Sequence, residues 1–309
     1  MKACVDIGGT KVAVSLAPFP VRAEPVEAPS TGSGRTEHRQ LAWRRTEPTA
    51  KDGRLAVQVL RMIDEARAEA GGPAVVAEVG VSCCGPFVLR DGMTELAAPN
   101  ICPGGSIPLE APLRERFARV RIENDAVAAL EAERRWGALQ GIDHCAYVTW
   151  STGIGVGLCV DGRILRGRNA NAGHAGHTWV SDGVSGQCGC GNAGDVESLV
   201  SGSAIARRFA GDPARLFKEA QQGDAVAAAE VDRLCDVMGR LLHNLVVTLD
   251  LQAIALGGSV FWHQQRALLP RLRERLERGG PAALTGGVQL VPAGLGLDVG
   301  DYAALALVA

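Results

Sequence analysis

Aromatic residues are scarce in this chain, 4% of 309 residues, with two tyrosines, five tryptophans and six phenylalanines. So few rings give little material for the stacking platforms that hold single-stranded nucleic acid. An excess of charge of one sign is also missing. Lys plus Arg number 32 and Asp plus Glu 34, for a formal net charge of −2. Neither a basic nucleic-acid surface nor a polybasic membrane patch is indicated, so no nucleic-acid or membrane partner is expected. Long apolar runs are absent too, and none approaches the about 18 residues of a transmembrane helix. The opening Met1-Lys2-Ala3-Cys4-Val5-Asp6 puts an acid ahead of Gly8-Gly9 and does not resemble a secretory leader, so a cytoplasmic protein is expected. Solenoid periodicity is not seen.

Cysteine is present, nine residues in all, but odd in number and scattered. Cys4, Cys83, Cys84, Cys102, Cys145, Cys159 and Cys235 lie in apolar or strand-like contexts and read as buried reduced thiols. Cys188 and Cys190 stand apart in a glycine-rich loop.

The length suits two domains of about 100–200 residues each. An apolar run over 3–7 leads into Asp6-Ile7-Gly8-Gly9-Thr10-Lys11, and Val12–Leu16 reads as a second strand, so the glycine pair marks a hairpin tip. Residues 17–53, rich in Pro, Arg, Glu and Thr, read as edge strands and loops. Leu55, Val59, Met62, Ile63 and Ala66 recur at helical spacing and predict a helix over about 53–70. Further strands are expected at 75–82, 120–122, 145–150, 253–256 and 288–291, with a hairpin over 158–165. Helices are expected from 125 and at 196–209, 213–221, 224–248, 262–277 and 301–308, and 166–195 reads as irregular. Strands alternating with helices, with glycine turns at strand ends, give an α/β class. A strand, glycine turn and strand open the chain, and the same pattern begins again near 145. Two related domains account for this: 1–123 with about 295–309 as a smaller N-terminal unit, and 124–294 as a larger C-terminal one.

Five segments could carry chemistry. The Gly8-Gly9 turn offers backbone N–H groups to an anion, with Thr10 and Lys11 as donors and Asp6 placed to hold a hydrated Mg²⁺. Thr152-Gly153-Ile154-Gly155 is a second such turn, and Gly257-Gly258-Ser259 allows close approach of a flat ring. Glu123-Asn124-Asp125 lies at a strand-to-helix junction. There Asp125 is either an N-cap or a base that accepts a hydroxyl proton, with Asn124 either a turn residue or a ligand. Last, His177, Cys188 and Cys190 are zinc-ligand types and Asp195 could be the fourth; the alternative is a pair of free thiols in a loop. Glu197 is either a sugar ligand or a first-turn glutamate favoured by the helix dipole.

Taken in order, these segments resemble the ROK family of sugar kinases and repressors over nearly the whole chain. Asp6–Lys11 looks like the family's first phosphate motif, and Cys84-Gly85-Pro86 and Ala98-Pro99-Asn100 like its sugar-side loops. Glu123–Ala126 resembles its catalytic segment and Thr152–Gly155 its second phosphate turn. Gly176-His177 with Cys188-x-Cys190-Gly191-x-x-Gly194-x-x-Glu197 resembles its zinc and sugar signature, and Gly257-Gly258 its adenosine-side turn. The resemblance implies a two-domain actin/hexokinase-like (ribonuclease H-like) fold with a central cleft, ATP and Mg²⁺, a structural Zn²⁺, and a homodimer. It implies Asp125 as base toward a sugar 6-hydroxyl, with Gly85, Asn100, Asn124, His174, His177 and Glu197 on the sugar side.

Two positions depart from the family pattern. His174 stands where a glutamate is usual, which replaces an anionic acceptor by a group that donates or accepts and should change the preferred sugar. Asp195 stands where a third cysteine is usual, so zinc is expected to be bound more weakly or to be absent. Glucose, an N-acylated hexosamine and an amino sugar all stay open, with His174 tilting toward a specialised sugar. A sugar-responsive regulator would need a DNA-binding module ahead of a phosphate motif that begins at Asp6. A non-catalytic sugar binder would not need Asp125.

Overall fold

The computed structural model describes residues 1–18, 41, 43–70, 75–181, 186–209, 211–278 and 280–309. Most of the segment expected to hold edge strands and loops, 19–40, lies outside the described residues. The chain runs β1 (Lys2–Ile7), β2 (Lys11–Ala17), β3 (Trp43–Pro48), α1 (Leu55–Glu69), β4 (Glu78–Cys83), β5 (Phe87–Arg90), β6 (Met93–Leu96), β7 (Ile107–Pro108), α2 (Glu110–Arg114), β8 (Arg119–Asn124) and α3 (Asp125–Trp136). It continues β9 (Cys145–Trp150), β10 (Ile154–Val160), β11 (Arg163–Ile164), α4 (Val196–Val200), α5 (Gly202–Arg208), α6 (Pro213–Gln221), α7 (Ala225–Leu249), β12 (Ala253–Gly257), α8 (Ser259–Arg278), α9 (Ala282–Thr285), β13 (Gln289–Pro292) and α10 (Val299–Ala306). Met1–Gly137, Arg166–Ala172 and Asp298–Ala309 form one compact unit; Ala138–Leu165 and Gly173–Leu297 form a second.

In the first unit a five-stranded sheet has the order β3-β2-β1-β4-β8. The β1–β2–β3 meander is antiparallel, whereas β1, β4 and β8 are parallel. Val5, Ile7, Val12, Val14, Leu16, Val79 and Val81 are buried with the apolar stripe of α1, Leu55, Val59, Met62 and Ile63. The strands read as near-continuous apolar runs because helices cover both faces. Helix α10 packs on β1, β4 and α3. Ala128 of α3 closes against Ala303 and Leu307, so α3 goes with the first unit and the division falls at Gly137, further along than the expected division after residue 123.

A small sheet, β5-β6-β7, also belongs to this unit. It is absent from the expectations above. Its hairpin turns on Asp91 and Gly92, both left-handed at φ 52° and 78°, the pair that two-residue hairpin turns favour.

The second unit repeats the first pattern, with the order β11-β10-β9-β12-β13. Strands β9, β10 and β11 are antiparallel, and β9, β12 and β13 parallel. Val148, Trp150, Ile254 and Leu256 pack with Leu234, Met238, Leu241 and Leu242 of α7. The single helix expected over 196–209 is two. Ser201 is extended (φ −60°, ψ 158°) and its side chain accepts from the Ala204 N–H to start α5. A serine that caps a new helix ends the old one. None of the nine cysteines is in a disulfide. Cys84 and Cys102 are half-buried rather than buried, since they sit in loops outside the sheet. Among the described residues no helix is long and apolar enough to cross a membrane.

Candidate active site

Two clusters of chemistry-bearing residues form, one in each unit. In the first sheet Asp6 is level with Ser82, and Ser82 with Glu123. The carboxyl ends of β1, β4 and β8 therefore bring Asp6, Cys83, Cys84 and Asn124-Asp125 to one edge, where ligands of open α/β sheets collect. The Ser82 hydroxyl lies 3.4 Å from Asp6 Oδ1. Burial, and next the Asp125 carboxylate, push the Asp6 carboxyl up to about 6, against the pull of Lys11 and Arg44. Asp6 and Asp125 thus sense each other's charge.

The β1–β2 turn is closed by the Gly8 N–H donating to Lys11 O at 2.9 Å. Thr49 pins it twice: its hydroxyl donates to Gly8 O at 2.7 Å and its N–H to Thr10 O at 3.1 Å. Nothing in the sequence pattern singled out Thr49. Thr10 and Lys11 are exposed. A Cβ on Gly9 would collide with the Asn100 side-chain amide, so Asn100 lies over this turn. Gly85 follows Cys84, whose N–H donates to Ile7 O at 2.9 Å, and the Gly85–Pro86 peptide is cis.

At the β8–α3 junction the cap is Asn124. It has φ −58° and ψ 146°, and its side chain accepts from the Ala126 N–H at 3.0 Å. Asn124 is 8% exposed, which suits a cap whose partners are backbone. Asp125, the first helical residue, is exposed, with Oδ1 accepting from the same N–H at 2.8 Å. The capping role that local sequence offered to Asp125 belongs to its neighbour.

In the second unit the β9–β10 tip is held by the start of α5. The Gly202 N–H donates to Ser151 O at 2.7 Å and the Ser203 N–H to Thr152 O at 3.2 Å. Glu197 is seated against the same tip, its Oε2 accepting from the Ile154 N–H at 2.9 Å. A Cβ on Gly153 would come within 2.7 Å of that oxygen. Thr152, Gly153 and Glu197 are thus brought together.

His177, Cys188, Cys190 and Asp195 offer ligand atoms that all lie within 4.8 Å of one another. His177 Nδ1 is 3.1 Å from Asp195 Oδ2 and 3.5 Å from Cys188 Sγ, and Cys190 Sγ is 3.5 Å from Asp195 Oδ2. Zinc bonds of about 2.0–2.3 Å at tetrahedral angles put ligand atoms about 3.3–3.8 Å apart, close to these three spacings, so the donor set is compatible with zinc. Asp195 is 1% exposed. Its Oδ1 accepts from the Ser198 N–H at 2.7 Å and caps α4, leaving Oδ2 to the set. Burial raises the Asp195 carboxyl, but hydrogen bonds from Ser198 and His177 outweigh it and hold the group below the usual range. Burial pushes the Cys188 thiol up.

His174 precedes the 3₁₀ turn Ala175–His177, and its ring stacks on His177 with centroids 6.1 Å apart. Its Nε2 is buried without a hydrogen-bond partner. Burial, then the neighbouring His177, hold its pKa below the usual value, so the ring is neutral at pH 7.

Gly257 and Gly258 end β12. Gly257 is buried against Tyr147, and Gly258 has φ +86° with room for a Cβ only 2.5 Å from Trp150 O. Both glycines are required by packing within the unit.

Residues 2–309 match the ROK family. The chain belongs to the ROK family. It is 33% identical over 265 residues to an N-acetylmannosamine kinase of Shigella boydii, covering 83% of this chain and 82% of that one. A ROK hexokinase from Thermus thermophilus superposes with a TM-score of 0.75 at 31% identity, over 99% of this chain and 97% of that one. A ROK glucokinase from Streptomyces griseus, solved with glucose and AMPPNP, gives 0.71 at 28% identity, over 98% and 97%. This ROK protein accordingly has the actin/hexokinase-like fold of those sugar kinases.

Proposed function

We propose that this ROK protein transfers the γ-phosphoryl group of ATP to the 6-hydroxyl of a hexose or hexosamine. The observation that carries the reading is Asp125: a carboxylate exposed at the sheet edge beside Asp6, with the helix cap supplied by Asn124. Asp125 accepts the hydroxyl proton as the sugar oxygen bonds to phosphorus and the bridging oxygen leaves with ADP. Phosphoryl transfer needs mainly positioning and charge stabilisation, so one base suffices. In the first unit Gly8, Gly9, Thr10 and Lys11 are assigned to phosphate oxygens and Asp6 would hold Mg²⁺; in the second unit Thr152 and Gly153 are assigned to phosphate. Gly257 and Gly258 pass the adenosine.

On the sugar side we assign Gly85, Asn100, Asn124, His174, His177 and Glu197. The zinc set His177, Cys188, Cys190 and Asp195 would hold the sugar loop in place, a structural role. The sugar is drawn from the class that includes N-acylhexosamines and hexoses, since the relatives named above are an N-acetylmannosamine kinase and glucose-binding or hexose kinases. A cytoplasmic homodimer belongs to the same reading and is checked by light scattering. ATP consumption over a panel of hexoses, N-acylhexosamines and aminohexoses tests the activity. Turnover on one of them is expected, and none on any of them would overturn the proposal.

A further inference from the structure

Residues 166–172 belong to the first unit, although the chain on both sides of them belongs to the second. Two anchors hold this short segment. At one end Arg166 Nε donates to Glu123 Oε1 at 2.5 Å and Nη2 to Glu131 Oε1 at 3.1 Å. Arg121 completes the network: Nη2 donates to Glu131 Oε1 at 2.7 Å and Nη1 to Leu307 O at 3.2 Å. Two guanidinium groups thus balance two carboxylates, one of which, Glu123, is only 5% exposed. At the other end Asn171 behaves like a strand residue paired with Phe87. Its Oδ1 accepts from the Phe87 N–H at 2.8 Å and its Nδ2 donates to Phe87 O at 2.7 Å.

Both anchors land beside residues assigned above to the reaction. Glu123 directly precedes Asn124-Asp125, Phe87 follows Gly85-Pro86, and Gly173-His174 is the next stretch of chain. We infer that residues 166–172 are a positioning strap, with Arg166 and Asn171 setting the places of Asp125 and the Gly85 loop without touching substrate. The inference rests on the sugar-kinase reading. The Arg166 side chain is 42% exposed whereas that of Glu123 is 7% exposed, and Arg121 stays beside Glu123 when Arg166 is removed. What such contacts govern is placement, and a displacement of about 1 Å at a reacting group costs on the order of 100-fold in rate.

The test uses the full chain with Asn171→Ala, Arg166→Met and the conservative Arg166→Lys. Steady-state kinetics against sugar and against ATP are combined with melting curves and amide hydrogen exchange. In Asn171→Ala the Phe87 amide should exchange faster, and kcat/KM for sugar should fall about tenfold or more. KM for ATP should stay within about twofold, and the melting point should fall by only about a few degrees, as for the loss of two hydrogen bonds. Arg166→Met should give the same split, with partial rescue in Arg166→Lys. Sugar and ATP constants that move together in step with the melting point, or that do not move, would overturn the strap. Failure of the wild-type chain to phosphorylate any sugar is a failure of the kinase reading. Exchange then decides for the strap alone: unchanged rates at Phe87 in Asn171→Ala and around Asn124 in Arg166→Met reject it.

Discussion

Replacing Asp125 by asparagine separates chemistry from architecture at one atom. The substitution keeps an oxygen that can accept the Ala126 N–H as Oδ1 does now at 2.8 Å, and Asn124 remains the cap. What is lost is a charge and a basic lone pair. The charge interacts favourably with the α3 N-terminus, worth about 0.3–1 kcal/mol. It also repels Asp6, whose carboxyl it helps to push up to about 6, so its removal gives part of that back. The net change in stability should therefore stay below about 1 kcal/mol. Loss of a general base, in contrast, costs about 10²–10⁴ in rate, or about 2.7–5.5 kcal/mol of barrier. Single-turnover phosphoryl transfer and calorimetric sugar binding should then diverge, with the rate collapsing and binding preserved. Turnover within about tenfold of wild type would show that the carboxylate is not the base. Loss of sugar binding together with a large fall in melting point would show that Asp125 is structural after all.

Three further outcomes follow from single side chains. Asp6 is held neutral more firmly in the folded chain than in the unfolded one, because burial and Asp125 raise its carboxyl from 3.8 to about 6. Its contribution to stability is therefore full below 3.8 and is lost as pH rises toward about 6. Asp6→Asn should flatten melting-point against pH across that window and leave the protein more stable than wild type at pH 7; identical slopes in the two proteins would refute this. Asn124→Ala removes the α3 cap and should cost about 0.5–2 kcal/mol in urea unfolding, while Asn124→Asp, which caps equally well, should cost far less. Asp195→Asn keeps the oxygen that caps α4 through Ser198 but offers a poor metal ligand, so zinc affinity should fall by more than about tenfold with the helix content intact. Equal zinc content in the two purified proteins would remove Asp195 from the set.

Where the sequence was legible, the reason is local repetition. The apolar runs of β1, β4, β9 and β12 and the stripe of α1 announce themselves because burial on a regular element imposes a period. The order of glycine turns was equally plain, since each turn closes a strand end. What stayed hidden depends on partners far away in the chain. Thr49 is separated by 41 residues from the Gly8 carbonyl it caps, Arg166 by 43 from Glu123, and Asn171 by 84 from Phe87. No window of sequence contains both members of such a pair, so 166–172 read as irregular chain. The choice between Asn124 and Asp125 as cap is a subtler case. Both residue types suit the position, and only the backbone turn at Asn124 decides it. The Asp91-Gly92 hairpin is different again: its signal was present in two residues, but the strands it joins are only four residues each.

Asp195 changes the meaning of the missing cysteine. A thiolate at this position would serve the metal well but would contribute little else. The carboxylate serves two partners at once, with Oδ1 fixing the first turn of α4 through the Ser198 N–H at 2.7 Å and Oδ2 meeting His177 at 3.1 Å. Hydrogen bonds to an ionised group are roughly twice as strong as neutral ones. His177 is thereby tied to the start of α4 by protein groups alone. Glu197 follows Asp195 by two residues, and its own carboxylate is fixed on the β9–β10 tip through Ile154. Weaker zinc binding and fixed places for His177 and Glu197 are therefore compatible. Zinc would add to an arrangement that Asp195 already imposes, so metal content and sugar affinity should be less tightly coupled here than in a chain that relies on three cysteines.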